Sequence, residues 1–137
     1  MIDQPHFSEI IKSFLKGNHP EFAGNVNDQD DSSFDCDLRN PTNEFSIWIA
    51  TYNSEITIGL QDPAGKTEIH THIACNNEED MEAALVELSN TINNIKEDKL
   101  MLYHSDLGGY QWTDDINQVI MRKQPYESIK VFSWNGN

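Results

Sequence analysis

Positive charge is scarce in this sequence: across 137 residues, 9 Lys and Arg stand against 23 Asp and Glu, a formal net charge of -14. A surface so short of cations is a poor match for nucleic acid or an anionic membrane, both of which are held through Lys and Arg, so neither is expected as a partner. Long hydrophobic runs are absent as well. None approaches the roughly 20 apolar residues that span a bilayer, and Met1-Ile2-Asp3-Gln4-Pro5 lacks a basic flank followed by an apolar stretch. The expected location is therefore cytoplasmic. Cysteine is limited to Cys36 and Cys75, which share no CxxC or other ligand spacing and read as buried thiols in a reducing compartment. Missing too are GxSxG, HExxH, a P-loop, a Gly-rich dinucleotide turn and an EF-hand loop. No catalytic residue and no cofactor are expected, and the protein reads as a binder, not an enzyme.

What the chain does have is carboxylate, unevenly placed. A protein of 15.7 kDa exposes roughly 7,300 Å². An even spread would give a standard footprint of about 800 Å² only about one or two net charges. Between Lys16 and Arg39, however, lie Glu21, Asp28, Asp30, Asp31, Asp35 and Asp37 with no Lys or Arg, and between Lys66 and Lys96 lie Glu68, Glu78, Glu79, Asp80, Glu82 and Glu87. Clustering of this kind makes a docking surface for a cationic partner, against the alternative that the acids serve solubility.

The length and the 37% hydrophobic content imply one folded domain over residues 1–137. Phe7, Ile10, Ile11, Phe14 and Leu15 recur at helical spacing with Gly17 as a stop. Residues 18–33 read as a long acidic loop. The period then changes to two. Phe34, Cys36 and Leu38, then Phe45, Ile47 and Ile49, then Ile56, Ile58 and Leu60 alternate with other residues, and Ile69, Thr71 and Ile73 do so opposite Glu68, His70 and His72. Asn40-Pro41, Asn53-Ser54 and Asp62-Pro63-Ala64-Gly65 mark turns between these strands. Asn76 or Asn77 caps a second helix with a stripe of Met81, Ala84, Leu85, Leu88, Ile92 and Ile95. Residues 100–103 read as a strand ended by Gly108-Gly109, Val119 to Met121 as a strand or a short buried segment, and the stretch around Ile129 and Val131 as a terminal strand. The expected fold is α+β, a single antiparallel sheet of about five to seven strands packed by an N-terminal helix and a central amphipathic helix.

His70 and His72, at i and i+2 on one strand face, are the most chemical-looking pair. Zinc needs at least three protein ligands, and His104, with Asp106 or Cys75, is the candidate third. That metal-binding alternative competes with the plainer reading that these histidines line the half-solvated face of the sheet or pack beneath a helix. The aspartates from Asp28 to Asp37 do not make a calcium loop, lacking Gly at the sixth and Glu at the twelfth position. Trp48 is expected in the core and Trp134 in a sheet. Tyr110 and Trp112, beside Asp114 and Asp115, combine aromatic and acidic groups and fit an interface or the core equally. Glu78 and Glu79 have a structural reason to open a helix, where negative charge is favourable. The candidate partner-binding residues are Asp28, Asp30, Asp31, Asp35, Asp37, Glu78, Glu79, Tyr110, Trp112, Asp114 and Asp115.

The order helix, acidic loop, antiparallel strands with Glu55-Ile-Thr-Ile-Gly-Leu through Ile69-His-Thr-His, then the acidic helix from Glu78 to Ile95, resembles the small immunity proteins of bacterial polymorphic-toxin and contact-dependent inhibition systems. The resemblance covers roughly the middle half of the chain and implies a cytosolic, monomeric or weakly dimeric protein that covers a cognate basic toxin domain, often a nuclease. A third reading is a mimic of nucleic-acid charge that inhibits several DNA-binding proteins.

Overall fold

The structure is a computed structural model that describes residues 2–136. Its first helix, α1 (Gln4–Asn18), starts where the Asp3 carboxylate accepts the His6 amide at 3.0 Å and Pro5 pre-sets the first turn. Phe7, Ile11 and Leu15 form its buried stripe, with Ile10 and Phe14 at the margin. The second, α2 (Met81–Lys96), follows a 3-10 turn at Glu78–Asp80 whose Asp80 amide is capped by Asn77 at 3.2 Å. It buries Met81, Ala84, Leu88, Ile92 and Ile95. His6 meets Glu78 at 2.8 Å, His19 meets Ser89 at 2.8 Å, and Lys96 donates to Glu21 at 2.6 Å. Because these partners advance together along both helices, α1 and α2 run side by side in the same direction.

Both helices share a core with one face of a five-stranded antiparallel sheet in the order β1-β2-β3-β4-β5. Its strands are β1 (Val26–Asp28), β2 (Phe34–Arg39), β3 (Ser46–Ala50), β4 (Ile56–Gln61) and β5 (Ile69–Ile73). Register aligns the apolar phase: Val26, Cys36, Ile49 and Ile58 form one row, and Leu38, Ile47, Leu60 and Ile69 the next. Side chains such as Ile47, Ile49, Ile58 and Leu60 are almost wholly buried, each stabilising the fold by about 1.5–3 kcal/mol. The turn between β3 and β4 passes through left-handed Asn53 (φ 58°) and Ser54 (φ 52°), as a tight hairpin requires. Gln4 bolts α1 to that turn, donating to the Thr51 carbonyl at 2.6 Å and accepting the Ser54 amide at 2.8 Å.

The strands divide between two sheets instead of joining one. The second, in the order β7-β6-β8, comprises β6 (Met101–Ser105), β7 (Gly109–Thr113) and β8 (Ile129–Phe132). It reaches the main core through aromatic edges: Phe45 lies 6.3 Å from Phe132 and 5.7 Å from Trp134, both near-perpendicular. Asn40 secures the junction by donating to the Trp134 carbonyl at 3.2 Å. Trp134 is buried, just beyond the end of β8.

Three further expectations are corrected. Residues 18–33 are not one loop, because Pro20–Asn25 forms a 3-10 helix that buries Phe22, and Val26 pairs with Cys36 to begin a strand. Residues 119–121 belong to a helix, α3 (Ile116–Arg122), none of whose residues is buried. Trp48 is half-buried on the outer face of the main sheet, turned away from the helices by the two-residue alternation that buries Ile47 and Ile49.

His19 is buried between the helices, and burial, followed by the Lys96 charge, holds its pKa below the ordinary 6.5. The folded protein thus resists protonation that the unfolded chain accepts. The contribution of this site is complete above pH 6.5 and is lost as the pH falls below it, towards the lowered folded value. Urea titrations from pH 7 down to about 5 are expected to show the native protein losing more stability than His19→Gln. Equal losses would remove the imidazole as the cause.

Candidate functional site

With α1 and α2 on the inner face, the polar phase of the strands is left on the outer one. Across the sheet, Asn27, Asp35, Ala50, Thr57 and His72 lie in one row, and Asp37, Trp48, Gly59 and His70 in the next. Register therefore places two carboxylates, an indole and two imidazoles on a single surface. Tyr52, in the turn after β3, joins them: its hydroxyl donates to Asp35 at 2.7 Å, and its ring centroid lies 6.4 Å from that of Trp48. Burial and the Asp35 carboxylate push the Tyr52 phenol up to about 12, so it remains a neutral donor.

A groove of about 270 Å³ opens on this face, lined by Trp48, Tyr52, Asn53, Glu55, Thr57, Thr67, His70 and His72. His72 Nδ1 lies 2.9 Å from both Glu55 Oε1 and Thr57 Oγ1, and His70 Nδ1 lies 3.0 Å from the Thr67 carbonyl oxygen. The two rings are near-perpendicular, 5.2 Å apart. Between Trp48 and His70 stands Gly59, where any side chain would meet the Ile69 carbonyl and come within 2.6 Å of His70 Cβ. The bare backbone there keeps β4 and β5 close and leaves room between the indole and the imidazole.

Acidic side chains flank the groove. Asp35 also accepts from Asn27 at 3.0 Å and Gln29 at 3.1 Å, while Asp37 accepts from Asn25. Asp31 lies close enough to bear on Tyr52, and its carboxyl is held below the usual range by the Ser33 hydroxyl first and the Ser33 amide second. Asp28 pairs with Lys12 at 2.6 Å, and Asp30 is exposed in the turn between β1 and β2. Charge on the thiol side is negligible, since burial, then Asp35 and Asp37, push Cys36 up to about 12.

The remaining candidates are dispersed. Glu78 pairs with His6 beside the start of α2, next to exposed Glu79. Tyr110 and Trp112 are half-buried on β7, Tyr110 packing 4.6 Å from His104 and 6.1 Å from Phe132. Asp115 caps α3 by accepting the Gln118 amide at 3.2 Å, and Asp114 is exposed beside it. His104 sits in the second sheet, away from the β5 pair in sequence and strand order. Among the described residues no group of three or more His, Cys, Asp or Glu is placed to hold a metal ion, so the three histidines are not assembled as a ligand set. No helix among those residues is long and apolar enough to cross a membrane.

The sequence did not mark Tyr52, Glu55, Thr57 or Gly59 as candidate site residues, although Glu55, Thr57 and Gly59 lie in the segment that carries the resemblance. Their signal was the polar phase of the alternation, which names a face but not the rows that cross it. Comparison with protein-family models, curated proteins and solved structures returns no match to this chain, so the site stands on its geometry. Gly59→Ala is expected to destabilise the protein by about 1–3 kcal/mol, as overpacking does. Chemical denaturation checks this, and a neutral result would mean that the strands can part there freely.

Proposed function

We propose that this protein is an immunity-type inhibitor that binds a cognate basic toxin domain, a nuclease in the simplest case, and covers its substrate-binding surface from the cytoplasm. The observation that carries the reading is the composition of the outer sheet face. Asp31, Asp35, Asp37 and Glu55 accompany Trp48 and Tyr52, with Arg39 the basic residue among these strands' outward side chains.

Magnitudes favour recognition over solvation. The protein exposes 7676 Å², of which a standard partner footprint takes about 800 Å². Against the one or two net charges expected from an even spread, this face gathers about twice as many. Exposed ion pairs contribute only about 0–1 kcal/mol each, but close pairs across a tight interface reach about 1.5–7 kcal/mol. Aromatic anchors supply the desolvated centre that makes such pairs count. A nuclease presents Lys and Arg to phosphate, so a carboxylate face competes directly with nucleic acid and is steered to the same surface.

The test is co-expression with the basic domain encoded beside this chain, together with binding measured over a range of salt. Neutralisation of toxicity and affinity that falls with salt are expected. The double variant Asp35→Asn, Asp37→Asn preserves shape and should weaken binding at least about ten-fold, roughly 1.4 kcal/mol. Absence of any neutralised toxin would overturn the proposal, and equal binding to many unrelated DNA-binding proteins would replace it with charge mimicry.

A further inference from the structure

We infer that the groove between Trp48 and His72 is a receptor for a single arginine side chain presented by the partner, an inference that rests on the proposed function for the partner's identity but not for the chemistry. The groove's volume of about 270 Å³ falls below the roughly 300–1,000 Å³ of sites that enclose drug-sized ligands. It suits one side chain entering from an opposing surface.

Its lining selects the chemistry. No Lys or Arg among the described residues contributes to the walls, and the face around it is acidic. One wall is aromatic, with the Trp48 and Tyr52 rings tilted by 40°. The phenol is fixed by its bond to Asp35, so the Tyr52 ring is held in place before anything arrives. Among the described residues the Trp48 indole N–H has no hydrogen-bond acceptor within the protein. Also in the lining, Glu55 uses one carboxylate oxygen on His72 and, among those same residues, leaves the other uncommitted. A planar cation that lays its face on an indole while its edge donates to a carboxylate answers both features of the lining at once.

Guanidinium has that shape, and ammonium does not. Arginine is delocalised and weakly hydrated, stacks on aromatic faces, and donates through a rigid fork, whereas the lysine ammonium is a compact, strongly hydrated point charge. Glycine at position 59 leaves room beside the indole, since any side chain there would collide with β5. The two histidines offer a competing use as metal ligands. With Nδ1 of each already engaged, only two ring nitrogens remain, short of the three protein ligands that a zinc site needs.

The experiment titrates isotope-labelled protein with a blocked peptide of four glycines around one arginine, with the lysine analogue, and with zinc ion alone, following the Trp48 indole and the Thr57 and Gly59 amides by NMR. Saturable shifts at these positions with the arginine peptide are expected, with the lysine peptide at least about ten-fold weaker. Glu55→Gln and Trp48→Leu should each abolish the arginine response. Because Trp48→Leu removes a half-buried ring, its amide spectrum is checked for folding, and Glu55→Gln, a shape-preserving change at a partly exposed carboxylate, carries the test by itself. Equal response to both peptides, shifts confined to β1 and β2, or saturation by zinc without an arginine response would each overturn the inference. If Glu55→Gln and Trp48→Leu bind a basic domain as tightly as the parent while the Asp35, Asp37 double variant does not, the arginine receptor fails and the proposed function stands. Arginine binding without any neutralised toxin would do the opposite, keeping the receptor and removing the proposed function.

Discussion

Helices can cover either side of a sheet, and in this molecule α1 and α2 pack on the same side. Packing Phe7, Ile11, Leu15, Leu88 and Ile92 against Ile47, Ile49, Ile58 and Leu60 fixes which phase of each strand faces inward. The other phase lies together on the opposite face, where Asp35, Asp37, Trp48, His70 and His72 reach solvent while Ser46, Ala50 and Thr57 stay buried. A one-residue slip in any strand would bury its polar residues and expose its isoleucines, so the core that stabilises the fold also specifies the outer surface.

The outer face is consequently not a set of flexible solvated charges. Asp35 holds the Tyr52 hydroxyl and two side-chain amides, Asp37 holds Asn25, and His72 is tied to Glu55 and Thr57. These bonds reduce the rotamer freedom that binding would otherwise remove, so less of the interaction energy is lost to ordering. Not every acid shares this arrangement. Asp115 caps a helix, Glu78 joins α1 to α2, and Asp28 pairs with Lys12. Acidic composition alone therefore overstates the number of carboxylates on the outer face.

The second sheet has a different character. Through Phe132 and Trp134 it closes one end of the main core, yet α3 above it buries none of its residues, and Met121 is 83% exposed. Its seven residues form just under two turns, too few to establish a stripe that a periodicity reading would recognise. The same holds for residues 18–33, where single apolar residues, Phe22 and Val26, do the anchoring and the surrounding Asn and Asp give a loop-like composition. Partition into two sheets was equally invisible. β6 pairs with β7 and β8 rather than with β5, a choice among distant strands that local periodicity does not record.

By itself the sequence determined the α+β class, the buried stripes of α1 and α2, the four alternating strands from Phe34 to Ile73, and a surplus of carboxylate dense enough to need explaining. Each is a local property: a period of 3.6 or 2.0, a turn pair such as Asn53-Ser54, or a count of charges. Tertiary structure alone decided which residues became neighbours. It set Trp48 outside the core, brought Tyr52 and Glu55 to His72, and kept His104 apart, because strand register and helix coverage depend on contacts between distant segments that no local pattern encodes.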